Sequence, residues 1–227
     1  MKLLITAATW NEVSPLEKVL AHWEKEGRLK THAFEISITG IGGVATAFHL
    51  GKILPTSNWD LVMQLGIAGS FKKEIGIGSV VNVKEERFAD LGAEDGERFL
   101  DAFEIELLNE NRFPFEYGKL LNKTLTGSPL IFDLPQVNGI SVNKVHGNEM
   151  SIQNIISKYQ PDVESMEGAA FFFCCKMSSI PFIEIRSISN FVEKRDKSKW
   201  NIHLAIEKLN ETAVKIIDQL LSPKKDQ

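Results

Sequence analysis

The chain has 227 residues, 43% of them hydrophobic and 25% charged, with a formal net charge of −4. That is the balance of a globular protein with enough apolar material for a sizeable core. It excludes generic nucleic-acid binding, which needs clustered lysine and arginine to meet phosphates; there is no basic stripe, and the pair Lys224 and Lys225 sits in a polar tail.

In chain order, residues 2–8 read as a short apolar strand, and that run is too short for a signal peptide or a membrane span. Residues 15–26 read as a helix with Ser14 as N-cap and Pro15 at its first position. A second strand over 33–39 ends in Gly40-Ile41-Gly42-Gly43, and a helix follows from about 44 to 54. A third strand, 61–65, ends in Gly66-Ile67-Ala68-Gly69. Strand, helix, strand, helix, strand is the pattern of an α/β sheet covered on both faces.

The middle of the chain is mixed. Residues 79–84 read as a strand, and 88–115 as polar and irregular with a short helix near 102–108. A strand over 139–145 and a helix over 152–159 follow, then a buried helix over 167–176 and a strand over 182–187. The last helix, 202–221, places Ile202, Ala205, Ile206, Leu209, Ala213, Ile216, Ile217 and Leu220 on one face. There is no linker, repeat or low-complexity segment. The expectation is a single α/β domain over residues 1–222, a central mixed sheet flanked by helices, with a polar tail at 223–227. The two cysteines, Cys174 and Cys175, are adjacent and lack metal-binding spacing, so they read as buried reduced thiols of a cytoplasmic protein.

Five places carry chemistry, each with a plainer alternative. The glycine clusters at 40–43 and 66–69 lack the signatures of nucleotide phosphate loops. They are plain turns or, being repeated at the ends of successive strands, the floor of a ligand crevice. Glu12, just past the first strand, faces that crevice or is a solvated residue favoured at a helix start. Glu167 heads a very apolar helix, where an unpaired carboxylate is costly, so it either caps the helix or grips ligand hydroxyls. Arg186-Ser187-Ile188-Ser189-Asn190 closes a strong strand, and its polar residues point into the crevice unless Asn190 merely opens a turn.

Together these segments resemble the purine nucleoside phosphorylase and nucleosidase superfamily over nearly the whole chain. Asn11-Glu12-Val13, the turn at Gly40 to Gly42, Gly66-Ile67-Ala68-Gly69, Met166-Glu167-Gly168-Ala169-Ala170 and Arg186-Ser187-Ile188-Ser189-Asn190 are similar to methylthioadenosine/S-adenosylhomocysteine nucleosidases. The adenine-cleaving members carry Asp where this chain has Asn190. The longer string from Ser189 through Asp196 to Trp200, with Ala89-Asp90-Leu91-Gly92, resembles futalosine hydrolases instead. Those enzymes release hypoxanthine from futalosine on the futalosine route to menaquinone.

The resemblance implies roles. Glu12 polarises water with help from Arg186, Glu167 accepts hydrogen bonds from ribose hydroxyls, Met166 packs on the ribose and Ile41 lines the 5′ side. Gly66, Ile67, Ala68, Gly69 and Ser189 complete the substrate surface, and Asn190 meets the purine at N7. Hypoxanthine presents two acceptors, O6 and N7, and an Asn amide offers two donors. No metal or cofactor is implied; the partners are a nucleoside, water and at least one further copy of the chain, because the 5′ pocket of the family is often completed by a neighbouring subunit. A membrane or nucleic-acid partner is not expected. No arginine lies near the first glycine loops to hold phosphate, although Arg87 lies further on. A phosphorylase, an adenine-releasing nucleosidase and a non-catalytic nucleoside binder are the alternatives. Arg87, Arg98 and Arg195 are candidates for the carboxylated tail of futalosine.

Overall fold

The computed structural model describes residues 1–125 and 128–221, so the polar tail lies outside the described residues. The first half holds β1 (Lys2–Ala7), α1 (Trp10–Lys25), β2 (Ala33–Ile38), α2 (Gly43–Ile53), β3 (Leu61–Ser70) and β4 (Val80–Glu86). A hairpin of β5 (Gly92–Asp95) and β6 (Arg98–Asp101) follows, then β7 (Leu120–Leu121), α3 (Pro129–Asp133) and β8 (Gln136–Ser141). The chain ends with α4 (Glu149–Tyr159), β9 (Val163–Ser165), α5 (Gly168–Met177), β10 (Phe182–Phe191) and α6 (Ile202–Leu221).

The main sheet runs β10-β4-β8-β9-β3-β1-β2, and β10 also pairs with β3. Five strands thus close into a ring from which β1 and β2 extend. Both parallel and antiparallel pairs occur, as expected of a mixed sheet. Strand alternation divides the apolar residues between two cores. Leu3, Ile5, Met63, Leu65, Ile183 and Ile185 pack with Leu16, Leu209 and Ile216 of α1 and α6. Leu4, Val62, Phe182 and Ile188 pack with Leu50, Phe171 and Phe172 of α2 and α5.

β3 is the hub of the site. Leu61 to Gln64 pair with β1, and Gly69 and Ser70 pair with β9. Between those stretches, residues 65–68 have β10 on one side and, among the described residues, no strand in register on the other. The sheet splays there, and the Glu12 carboxylate reaches into the gap.

Three expectations need correction. Residues 66–69 are not a turn: β3 continues through them to Ser70. Helix α1 starts at Trp10, not at Pro15, with Thr9 as N-cap, so Pro15 lies inside the helix. Pro15 looked like a helix start because proline suits that position; the true start is marked by Thr9, whose amide and hydroxyl are both held by Glu12. Residues 102–108 form turns rather than a helix.

Candidate active site

Glu12 comes from the first turn of α1 and is buried. Its Oε2 accepts the Thr9 N–H and hydroxyl, both at 2.9 Å, while Oε1 accepts the Ile67 N–H at 3.2 Å. It therefore caps α1 with one oxygen and reaches β3 with the other. Gly66 separates it from Arg186: a Cβ at that position would collide with Arg186 Nη1 and lie 3.3 Å from Glu12 Oε1. The glycine is needed for close approach of these two side chains.

Glu167 is the residue before α5, yet its side chain caps nothing there. The helix start is served by Ser165 Oγ, which accepts the Gly168 N–H at 3.3 Å, and Ser141 Oγ, which accepts the Ala169 N–H at 2.7 Å. Glu167 reaches across instead. Its Oε1 accepts the Gly42 N–H at 3.0 Å, and its Oε2 lies 3.4 Å from Arg186 Nη1. The first glycine cluster does turn as expected, with Gly40 and Gly42 at φ of 84° and 90°, and the turn aims its amide at a carboxylate.

Arg186 is almost wholly buried. Its Nε donates to Glu184 Oε1 at 2.7 Å and its Nη1 to Ile67 O at 3.4 Å. Burial disfavours its charge, but Glu184 and Glu167 outweigh that and hold the guanidinium firmly protonated. Glu86, from the end of β4, accepts the Ser141 hydroxyl at 2.9 Å. Its Oε1 and Glu184 Oε1 converge over Gly168, where a Cβ would collide with the first and lie 2.7 Å from the second. Burial, and then the charge of Glu184, push the Glu86 carboxyl well above its ordinary value. Burial also raises Glu184, against the pull of Arg186. Sequence reasoning missed both; the usable signal for Glu184 was a carboxylate two residues before Arg186 in an otherwise apolar strand.

Asn190 sits at the end of β10, just after a bulge at Ser189. Bulges re-aim the side chains that follow them. Asn190 Oδ1 accepts the Ser189 hydroxyl at 2.8 Å, and Nδ2 donates to Phe191 O at 3.0 Å. One of its two donors is thus engaged by the chain itself. Gly69 runs beside it in register and carries no Cβ, because one would lie 2.8 Å from Val192 and 3.2 Å from Asn190 Nδ2. Met166 is half-buried beside Glu167, whereas Ile41, at the tip of the glycine turn, is 63% exposed.

The three candidate tail arginines are not together. Arg98 and Arg195 line a cleft of about 1140 Å³ between the β5–β6 hairpin and the loop after β8. Ala89 and Asp90 line it too, and Asp90 pins that loop by accepting the Asn143 N–H at 2.6 Å. Arg87 faces a separate, smaller cleft and donates to Glu85 at 3.3 Å. Neither cleft is lined by Glu12, Glu167, Arg186 or Asn190.

A strand hub with a splayed edge, two carboxylates brought to it by separate helices, and one buried arginine between them make up the candidate site. Residues 25–222 match the family model of the phosphorylase superfamily, and the chain belongs to that superfamily. A futalosine hydrolase of Thermus thermophilus is 30% identical over 185 residues, covering 80% of each chain. A 5′-methylthioadenosine/S-adenosylhomocysteine nucleosidase of Maridesulfovibrio salexigens is 28% identical over 206 residues, 86% of this chain and 84% of that one. Among solved structures, the futalosine hydrolase of Helicobacter pylori superposes with a TM-score of 0.76 at 14% identity, covering 97% of this chain and 98% of that one, a likeness of fold.

Proposed function

We propose that this chain hydrolyses the N-glycosidic bond of futalosine, giving hypoxanthine and dehypoxanthine futalosine, a step of menaquinone biosynthesis. One observation carries the choice within the superfamily: the residue at the base end is Asn190, with its carbonyl engaged by Ser189, beside the similarity to futalosine hydrolases. With Oδ1 occupied, the amide turns its N–H side to the base. One N–H donates to N7, and the second reaches O6 when it exchanges Phe191 O for the ligand. An amide placed this way suits a 6-oxopurine.

Glu12 takes the proton of a water as the water oxygen attacks C1′ of the ribose, and the C1′–N9 bond breaks with its electron pair going to the base. The sugar passes through an oxocarbenium-like state. Glu167 accepts hydrogen bonds from the ribose hydroxyls, and these strengthen as positive charge grows. Arg186 holds Glu167 in place and orients the water with Glu12. Met166 packs on the sugar and Ile41 lines the 5′ side.

Electrostatics favour water over phosphate as the nucleophile. Arg186 is already shared by Glu184 and Glu167, and Glu12 adds a third carboxylate. A phosphate dianion entering this cluster meets net negative charge. Arg87 does not relieve it, being turned to Glu85.

The working unit in this proposal is a homodimer or higher homo-oligomer. Ile41, Val44 and Phe48 form an exposed apolar stripe on the glycine turn and α2, at helical spacing. No helix among the described residues is long and apolar enough to cross a membrane. The free thiols Cys174 and Cys175 suit a reducing, cytoplasmic setting.

The test is a panel of 6-oxo and 6-amino nucleosides, incubated with and without phosphate, with detection of base and sugar products. Free hypoxanthine from futalosine at a rate independent of phosphate is the expected result. A sugar 1-phosphate would assign a phosphorylase, adenine release alone would assign the other nucleosidase, and binding without turnover would assign a binding protein.

A further inference from the structure

We propose that Asn210, on the last helix, is a positioning residue for Glu12. In a regular helix the Leu16 N–H donates to the Glu12 carbonyl. Here both groups of that rung bond to one side chain: Leu16 N–H donates to Asn210 Oδ1 at 2.9 Å, and Asn210 Nδ2 donates to Glu12 O at 2.9 Å. The same Nδ2 donates to Ile206 O at 2.7 Å, which fixes the amide to its own helix. Both donor hydrogens and the acceptor oxygen of Asn210 are engaged, and the residue is 4% exposed.

Pro15 explains why a partner is needed at this rung. It lies inside α1, where it has no N–H for the carbonyl four residues back and its ring crowds that group. The adjoining rung, Glu12 to Leu16, is the one the amide joins. Asn210 therefore sets the backbone at Glu12 from a helix 198 residues away in sequence. The other end of Glu12, its carboxylate, is set by Thr9 and Ile67. Positioning matters because a misplacement of about 1 Å at a catalytic group costs about 10²-fold in rate.

The inference rests on the role of Glu12 given above, and the experiment separates the two. The variants are Asn210→Leu, the double change Pro15→Ala with Asn210→Leu, and Leu209→Ala as a packing control on the same helix, fully buried in the core that α1 and α6 share. Futalosine turnover is measured per folded protein, well below each Tm, together with the pH profile of kcat. In the double variant the alanine restores a helix N–H and lets the rung close. The expected outcome is that its Tm recovers relative to Asn210→Leu, while kcat stays at least about 10-fold down and the acidic limb of the profile moves, with KM little changed. Leu209→Ala should lower Tm and leave kcat alone. Should the double variant fail to regain Tm, the comparison with Leu209→Ala decides. Equal kcat in those two proteins, or wild-type kcat in the double variant, would overturn the proposal and leave Asn210 as helix-to-helix packing. Full activity in Glu12→Gln would instead sink the role of Glu12 itself.

Discussion

Glu12 Oε1 accepts the Ile67 N–H at 3.2 Å across the stretch of β3 that no strand covers on that side. The carboxylate replaces a missing ladder partner and faces the site in the same act. Glu12→Gln keeps a carbonyl oxygen for Ile67 and turns its NH2 to Thr9, whose hydroxyl can accept it while its N–H loses an acceptor, so the fold should survive with a Tm a few degrees below wild type. The amide is no base, and kcat should fall about 10²- to 10⁴-fold. Thermal melts and futalosine turnover check this, and near-wild-type turnover would remove Glu12 from the chemistry.

Glu167→Gln should lower kcat and kcat/KM together, the pattern of an interaction made mainly at the transition state. Stability should change little through capping, because Ser165 and Ser141 serve the start of α5. A large loss of Tm with unchanged kinetics would make Glu167 a structural partner of Arg186 and Gly42 only.

Glu86 predicts a pH signature. Its folded-state pKa is raised well above 4.5 by burial and by Glu184, so folding takes up a proton between the ordinary value and the raised one. Its contribution is fully present below pH 4.5 and is lost as pH climbs through the raised value, at up to about 1.4 kcal/mol per pH unit. Glu86→Gln mimics the protonated acid, accepting from Ser141 and donating toward Glu184. The variant should gain on wild type in Tm as pH rises from 5 to 9. Parallel curves would show that Glu86 is ionised in the folded protein.

The stripe on α2 offers a test of assembly. Val44→Asp with Phe48→Asp should shift the chain from dimer to monomer by light scattering and raise KM for futalosine. A wild-type monomer, or an unchanged dimer in the variant, would move the interface elsewhere.

Much of this was legible in the sequence because strong periodicity marks it. The apolar stripe over 202–221 matches α6 end to end, and Arg186, one of the polar residues closing its strand, meets Glu167 and approaches Glu12 across Gly66. What escaped depends on distant partners. Gly66 and Gly69 looked like turn residues, but they are strand residues stripped of Cβ to admit Arg186, Val192 and Asn190. The start of α1 was displaced because Pro15 is tolerated inside a helix whose neighbouring rung is held by Asn210. The β5–β6 hairpin was invisible because every residue of β5 is exposed, so no face is apolar. Glu86 and Glu184 meet only when β4, β10 and α5 are assembled.

In the proposed function, Asn190 reads a 6-oxopurine. The measurement is kcat/KM for futalosine and its 6-amino counterpart, with wild type and Asn190→Asp. Wild type should favour futalosine, and the Asp variant should shift the ratio toward the 6-amino nucleoside by roughly 10- to 100-fold, since an ionised carboxylate repels O6 and a protonated one matches an amino group beside N7. A ratio that does not move between the two proteins would contradict the account.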